Sequence, residues 1–193
     1  MEWILASASP RRKQLFAPLV RAFEILPADC DEDIESDSPQ SLVAMLARKK
    51  AKCVADLPIA KGKAVLGADT VVALDKEILG KPKDESDARR MLSALSGRVH
   101  EVYTGVCMIA PTGETLVEVA CTKVRFNELS SAKIDAYIAS GSPMDKAGAY
   151  GIQDGDLVES IEGSFSNVVG LPVELCKEMI ERLLIETTGA GTR

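Results

Sequence analysis

The stretch Ala64-Val65-Leu66-Gly67-Ala68-Asp69-Thr70-Val71-Val72-Ala73-Leu74 sets a carboxylate in the middle of an apolar run. Its β-branched residues predict a buried strand, and the polar turn Asp75–Glu77 before Ile78-Leu79 predicts a hairpin. A carboxylate among apolar side chains is costly to bury without a proton, a cation or a cationic side chain beside it. The run therefore predicts a partner for Asp69.

The chain before this run predicts two strands and two helices. Ser9-Pro10 and Ser38-Pro39 each combine a helix N-cap with a proline at the first helical position. An acidic loop, Asp29 to Asp37, separates the second strand from the second helix. The predicted elements are a strand over 2–6, a helix over 10–20, a strand over 23–27 and a helix from 39 to about 54.

The chain after the run continues to mix helices and strands. The best hairpin signal is Pro111-Thr112-Gly113-Glu114 between two long apolar segments. The loop 142–155 is polar and rich in small residues, which is typical of a functional loop. The predicted elements are a helix over 84–95, strands over 99–110 and 115–126, a helix from Ser130 to Gly141, a strand over 157–161, a helix from Leu171-Pro172 and a frayed tail over 187–193.

This order of elements predicts an α/β or α+β domain over 1–186 with one central mixed sheet. The chain has 193 residues, a net charge of -6 and five cysteines without a CxxC pair. The negative charge argues against a nucleic-acid-wrapping protein, because phosphate neutralisation needs a basic face. No apolar run approaches the roughly 20 residues of a membrane span, and no basic leader precedes Trp3, so we expect a protein of the reducing cytoplasm.

Polar interruptions of apolar segments supply the candidate partners of Asp69. Arg11 and Arg12 stand in the first turn of a helix, where exposed N–H groups and guanidinium forks favour phosphate. Two arginines there oppose the helix macrodipole, so simple surface charge is the alternative. We predict one polyanion site assembled around Asp69 from Ser7, Ser9, Arg11, Arg12, Lys50, Lys81, Lys146 and Gln153.

Asp69 has two candidate chemical roles. It can bind a divalent cation, with Glu32 as a second ligand if the acidic loop folds back, or it can accept a proton from an attacking water. A purely structural salt bridge is the third alternative. Of Lys49 and Lys50, we expect one to face the site. His100, the single histidine, lies in a predicted strand and is expected to be structural.

Seven ordered motifs together resemble the Maf family of nucleoside triphosphate pyrophosphatases. They run over nearly the whole chain. They are Leu5-Ala6-Ser7-Ala8-Ser9-Pro10-Arg11-Arg12, Gly67-Ala68-Asp69-Thr70, Leu79-Gly80-Lys81-Pro82, Leu95-Ser96-Gly97-Arg98-Val99-His100, Val102-Tyr103-Thr104-Gly105, Asp145-Lys146-Ala147-Gly148-Ala149-Tyr150-Gly151-Ile152-Gln153 and Asn167-Val168-Val169-Gly170-Leu171-Pro172.

The resemblance implies hydrolysis of a nucleoside triphosphate between its α and β phosphates, with Mg²⁺ or Mn²⁺ as the divalent cation. It also implies a twisted mixed sheet flanked by helices, two lobes with a central cleft, and often a dimer. Asp69 is the implied proton acceptor, and Arg11, Thr70 and Gln153 match positions that select the nucleotide. The positions that match polar sites around the phosphates and metal are Ser7, Ser9, Arg12, Glu32, Lys50, Lys81 and Lys146.

Within the family, the stretch from Lys146 to Gln153 resembles the branch that acts on dTTP and UTP. A glutamine amide both donates and accepts, so it can pair with the edge of thymine or uracil. The next residues, Asp154-Gly155-Asp156, are more acidic than the Gly-Leu-Gly type common in relatives. A 7-methyl-GTP pyrophosphatase and a non-catalytic nucleotide-binding regulator of cell division are the alternatives.

Overall fold

The computed structural model describes residues 1–34, 36–75 and 77–189, with side chains up to residue 185. The strands are β1 Trp3–Leu5, β2 Phe23–Ile25, β3 Ala64–Leu74, β4 Glu77–Leu79, β5 Val99–Ile109, β6 Thr115–Phe126 and β7 Val158–Glu162. They form a mixed seven-stranded sheet with the order β2-β1-β3-β5-β6-β7, and β4 pairs with β3. β1 is parallel to β2 and β3, whereas β4 and β7 are antiparallel to their neighbours.

Helices flank this sheet, as the sequence predicts. The 3-10 turns are short and cover 58–60, 142–145 and 147–149. The α-helices are α1 Pro10–Phe16, α2 Pro39–Ala55, α3 Glu85–Leu95, α4 Ser131–Ala139, α5 Phe165–Val169 and α6 Val173–Gly189.

The chain divides into two compact units. Unit 1 comprises residues 1–69, 104–120 and 170–193, and unit 2 comprises residues 70–103 and 121–169. Of unit 1, the last four residues lie outside the described part of the chain. Each unit has its own buried core.

In unit 1, strand alternation gives the sheet two apolar faces. Trp3, Leu66 and Ala68 pack with residues of α1 and α6, such as Phe16 and Met179. Ile4 and Val65 point the other way and pack with the α2 residues Ala47, Ala51 and Val54. Successive strand side chains alternate between faces, so Val65, Gly67 and Asp69 share the face that α2 covers.

Two glycines allow α2 to approach this face closely. A Cβ on Gly67 would lie 2.5 Å from the Ala47 carbonyl oxygen and 2.6 Å from the Ala51 amide nitrogen. A Cβ on Gly105 of β5 would clash with the Val43 carbonyl oxygen. Both contacts are with helix backbone, which cannot rotate away as a side chain can. The glycines therefore set the distance at which α2 packs on β3 and β5.

In unit 2, α3 and α4 pack on the apolar side chains of β3, β4 and β6. His100 belongs to this core: it is 2% exposed and packs edge-on against Phe126 and Tyr150. Its Nε2 lies 2.7 Å from the Tyr150 hydroxyl oxygen. Burial lowers the pKa of His100 to about 4. These contacts agree with the structural role that the sequence predicts.

The structure differs from the prediction mainly in three helices. α1 ends at Phe16, not near Val20, because Pro18 has no N–H with which to continue the helical hydrogen bonds. The short helix α5 was not predicted. α6 continues through Gly189, so helix covers the first three residues of the predicted tail, and 190–193 lie outside the described residues.

Two further sequence expectations concern the membrane and the cysteines. Among the described helices, none is long and apolar enough to cross a membrane. All five cysteines are free thiols. Lys76, in the predicted hairpin turn, lies outside the described residues, while β3 and β4 on either side pair as an antiparallel hairpin.

Candidate active site

Lys50 is the cationic partner of Asp69. Its Nζ lies 2.6 Å from the Asp69 Oδ1 and 2.9 Å from the Glu32 Oε2. The Lys50 and Asp69 side chains are 12% and 13% exposed, and that of Glu32 is 54% exposed. The acidic loop folds back, which is the condition on which the sequence offered Glu32 as a second ligand, and two carboxylates converge on one ammonium.

The position of Lys50 on α2 explains this contact. It follows Val43 by seven residues and Ala47 by three, so it belongs to the buried stripe of the helix. Its neighbour Lys49 is 37% exposed and lies 3.8 Å from the Asp31 carboxylate. Of the two lysines, Lys50 is therefore the one that reaches Asp69.

Arg12 adds a second positive charge to this group. Its Nε donates to the Gly170 carbonyl at 2.9 Å, and its Nη1 lies 3.5 Å from the Ser7 Oγ. Removal from water lowers the pKa of Arg12, while the negative charges of Asp69 and Glu32 act in the opposite direction. Asp69, Glu32, Lys50 and Arg12 together carry no net charge.

Ser7 and Ser9 shape the turn that carries Arg12. Ser9 is the N-cap of α1, and its Oγ accepts from the Arg12 amide at 3.4 Å. Ser7 is 8% exposed, and its Oγ accepts from the Ser9 amide at 3.2 Å. Both oxygens thus serve as acceptors for the local backbone, and both hydroxyls keep a proton to donate.

Arg11 and Thr70 are half-buried neighbours of these residues in sequence. Arg11 interacts electrostatically with Arg12 and contributes to lowering its pKa. Thr70 follows Asp69 on β3, so its side chain leaves the strand on the opposite face. The structure thus keeps Thr70 off the face that α2 covers.

In unit 2, Lys146 is held by a polar network from the loop 142–155. Its side chain is 11% exposed. Its Nζ lies 2.9 Å from the Asp145 Oδ1 and 3.4 Å from the Asp154 Oδ2, and it donates to the Ser142 carbonyl. Gly151 packs directly against this network, where a Cβ would lie 2.6 Å from the Asp154 carboxylate.

Asp154 is a central residue of this network to which the sequence motifs assigned no role. It accepts from the Ser142 hydroxyl at 2.6 Å and from the Tyr137 hydroxyl at 2.8 Å. Burial raises the pKa of Asp154, but the hydrogen bonds and the Lys146 charge outweigh it and hold that pKa below its usual range. One feature of the sequence could have revealed this pairing: Asp154 follows Lys146 by eight residues within the same polar loop.

Lys81 and Gln153 are exposed residues of unit 2. Neither side chain makes an ion pair or hydrogen bond within the described part of the chain. The Gly148 amide donates to the Gly80 carbonyl at 3.0 Å, which joins the Lys81 turn to the loop of Lys146. Both side chains are therefore available to a ligand.

Asp69 and Glu32 have the chemistry of a magnesium site. Mg²⁺ takes oxygen ligands, keeps several waters and is commonly bound through one or two carboxylates plus substrate phosphates. Two carboxylates that already share a cation meet this need, so the donor set fits. Across the described residues, no group of three or more His, Cys, Asp or Glu side chains forms a metal cluster.

Comparison with known proteins identifies the family. A family model described as Maf-like protein matches residues 2–183. The chain belongs to this family. It is 50% identical over 184 residues to a dTTP/UTP pyrophosphatase of Geobacillus sp. (strain WCH70), covering 93% of this chain and 97% of that protein. It is 48% identical over 185 residues to a dTTP/UTP pyrophosphatase of Anaeromyxobacter dehalogenans (strain 2CP-1), covering 93% and 92%.

The fold has a more distant counterpart among solved structures. The Ham1 protein of Staphylococcus aureus matches with a TM-score of 0.53 and 18% identity, covering 94% of this chain and 98% of that one. At this identity the likeness concerns the fold alone. It agrees with the predicted α/β architecture.

Proposed function

We propose that this Maf-family protein hydrolyses dTTP and UTP to the nucleoside monophosphate and pyrophosphate. The observation that carries the proposal is the Lys50 ammonium between the carboxylates of Asp69 and Glu32. Relatives about half identical to this chain, over nearly their whole length, bear the name dTTP/UTP pyrophosphatase. A triphosphate hydrolase needs cationic groups that neutralise the phosphates and carboxylates that bind a metal or accept a proton, and this cluster contains both.

Lys50 and Arg12 bind the phosphate chain in this scheme. Phosphate oxygens compete with Asp69 and Glu32 for the Lys50 ammonium, because charge-assisted hydrogen bonds form with either anion. The Arg12 guanidinium is anchored by the Gly170 carbonyl through Nε, which leaves its fork in a fixed orientation. The Ser7 and Ser9 hydroxyls donate to phosphate oxygens from the same turn.

Asp69 accepts the proton of the attacking water. The water attacks the α phosphorus, the bond from this phosphorus to the bridging oxygen breaks, and pyrophosphate leaves. Asp69 and Glu32 would hold the divalent cation, Mg²⁺ or Mn²⁺, which when bound neutralises charge on the phosphate oxygens. Because Asp69 lies on the strand face that α2 covers, its carboxylate is already oriented before the substrate binds.

The remaining assignments rest on the family motifs. Lys81 and Lys146 bind phosphate oxygens, and Arg11, Thr70 and Gln153 select the nucleotide. The exposed amide of Gln153 has both a donor and an acceptor for the edge of thymine or uracil. Replacing Gln153 by Glu removes the donor, so the preference for dTTP and UTP over other nucleotides should fall.

A nucleotide panel tests the proposal directly. The protein is incubated with dTTP, UTP, 7-methyl-GTP and ATP, each with Mg²⁺ or Mn²⁺, and pyrophosphate release is measured. Release is expected to be fastest from dTTP and UTP. Preferred hydrolysis of 7-methyl-GTP would refute the proposed substrate, and nucleotide binding without turnover would identify a regulator instead. The dimer and the cytoplasmic location expected from the resemblance stay predictions.

Asp69→Asn tests the chemistry at the site. The amide cannot accept a proton from water, so we expect pyrophosphate release to fall by about 10²–10⁴-fold, the usual contribution of a general base. Asp56→Asn is the matched control, because Asp56 forms an exposed ion pair with Lys52 on α2. Near-normal turnover of Asp69→Asn would contradict the assignment.

The same variant separates the two roles of Asp69. If Asp69 acts as the base alone, the variant keeps the Mg²⁺ dependence of nucleotide binding. If Asp69 also holds the cation, the variant binds dTTP equally well with and without Mg²⁺. Equilibrium binding of dTTP at several Mg²⁺ concentrations distinguishes these outcomes.

A further inference from the structure

The segment Asp29–Asp33 lies along helix α2 without forming helix or strand. It carries Glu32, so its position decides whether this carboxylate stays near Asp69. Three contacts with α2 side chains hold it in place. These are Lys49 with Asp31 at 3.8 Å, Lys50 with Glu32 at 2.9 Å, and the Cys53 Sγ with the Asp29 carbonyl oxygen at 3.4 Å.

The third contact brings two cysteines close together, because Asp29 directly precedes Cys30 in the chain. A peptide oxygen lies about 2.8 Å from the next Cα by covalent geometry. With the 3.4 Å contact from the Cys53 Sγ to the Asp29 oxygen, this sulfur lies within reach of the Cys30 Cα. The sum of these two distances places this sulfur no more than about 6.2 Å from the Cys30 Cα.

Both thiols are accessible to a small reagent. Cys30 and Cys53 are half-buried, whereas Cys107 and Cys176 are fully buried. Cys121 is exposed but belongs to unit 2. Cys30 lies outside the helices and strands, so no regular hydrogen-bond ladder fixes its backbone.

We propose that Cys30 and Cys53 are a redox modification site, at which a reversible disulfide fastens the segment Asp29–Asp33 to α2. The oxidant is a low-molecular-weight disulfide. One protein thiolate attacks it, forms a mixed disulfide and releases one small thiol. The second protein thiolate then attacks the mixed disulfide at the protein sulfur and releases the other small thiol. Two protein thiols are oxidised, and their two electrons and two protons pass to one small disulfide, which is reduced to two thiols.

The covalent link replaces contacts that are weak by themselves. Exposed ion pairs such as Lys49 with Asp31 contribute little in water. In the reduced chain the segment can open at the cost of such contacts, whereas in the oxidised chain Glu32 stays two residues from a covalent anchor. This last consequence rests on the proposed function. When the segment is always closed, Glu32 is always in place, so a lower Mg²⁺ concentration gives the half-maximal rate. The size of the decrease depends on the fraction of reduced chains in which the segment is open.

The experiment compares the full chain after treatment with oxidised or reduced glutathione. Free thiols are counted after unfolding, and peptide mass spectrometry locates any disulfide. Amide hydrogen exchange of residues 29–33 reports whether the segment is fastened. The variants are Cys30→Ser and Cys53→Ser, with Cys121→Ser as the matched control.

We expect oxidation to lower the thiol count from five to three in the natural chain and from four to two in Cys121→Ser, and to slow exchange over 29–33 in both. Neither effect is expected in Cys30→Ser or Cys53→Ser. Five thiols after oxidation, or a disulfide that involves other cysteines, would overturn the proposal. A Cys30–Cys53 disulfide with unchanged exchange would overturn the fastening.

Pyrophosphate release at varied Mg²⁺ separates this inference from the proposed function. If oxidation lowers the Mg²⁺ concentration at half-maximal rate, both stand. If neither form hydrolyses dTTP or UTP, the proposed function fails, while the thiol count and hydrogen exchange still decide the disulfide.

Discussion

Acidification from pH 7 to pH 5 is expected to destabilise this protein through His100. The imidazole is 2% exposed and packs edge-on against Phe126 and Tyr150. Burial lowers its pKa to about 4 from an ordinary value of 6.5. Because His100 is the single histidine of the chain, no second imidazole contributes in this pH range.

The sign follows from proton binding. Between pH 6.5 and about 4 the unfolded chain protonates His100, while the folded chain keeps it neutral. The unfolded state binds more protons there, so stability falls as the pH falls. With these two pKa values the loss between pH 7 and pH 5 is about 2 kcal/mol, which is a factor of about 30 in the unfolding equilibrium.

Urea unfolding at pH 7 and pH 5 measures this loss. The comparison is with His100→Gln, whose amide keeps a polar partner for the Tyr150 hydroxyl but does not titrate. The free energy of unfolding of the natural chain should fall by about 2 kcal/mol more than that of the variant. The imidazole proton signals in NMR, unique in this chain, should titrate near pH 4. Equal losses in the two proteins, or an imidazole pKa near 6.5, would refute the reasoning.

Two further predictions concern Gly67 and Asp154. Gly67→Ala should lower the free energy of unfolding by about 1–3 kcal/mol, because the new Cβ meets the α2 backbone. Gly80→Ala is its control, since a Cβ there meets nothing within 4 Å, and equal urea midpoints for the two variants would contradict the close approach of α2. Asp154→Asn should raise KM for dTTP more than it lowers kcat, because the Lys146 ammonium loses a carboxylate that orients it. Steady-state kinetics check this, and an unchanged KM would count against that role.

The sequence by itself determined the local structure around Asp69. Alternation and β-branching predicted β3, which covers 64–74 as expected. Serine caps followed by proline located the starts of α1 and α2. The cost of burying a carboxylate predicted a cationic partner, and Lys50 lies 2.6 Å from it. These inferences succeed because each depends on residues that are neighbours along the chain.

Only the tertiary structure decided which cation meets Asp69. Lys50 forms the ion pair with Asp69 because Gly67 and Gly105 let the backbone of α2 approach the sheet face that carries Asp69. The sequence did not reveal this packing distance. The contact of Cys53 with Asp29, the residue before Cys30, was equally hidden, since 22 residues separate the two cysteines. Pairings of this kind depend on how close two elements pack, and that distance is set by side chains remote in sequence from the groups that meet.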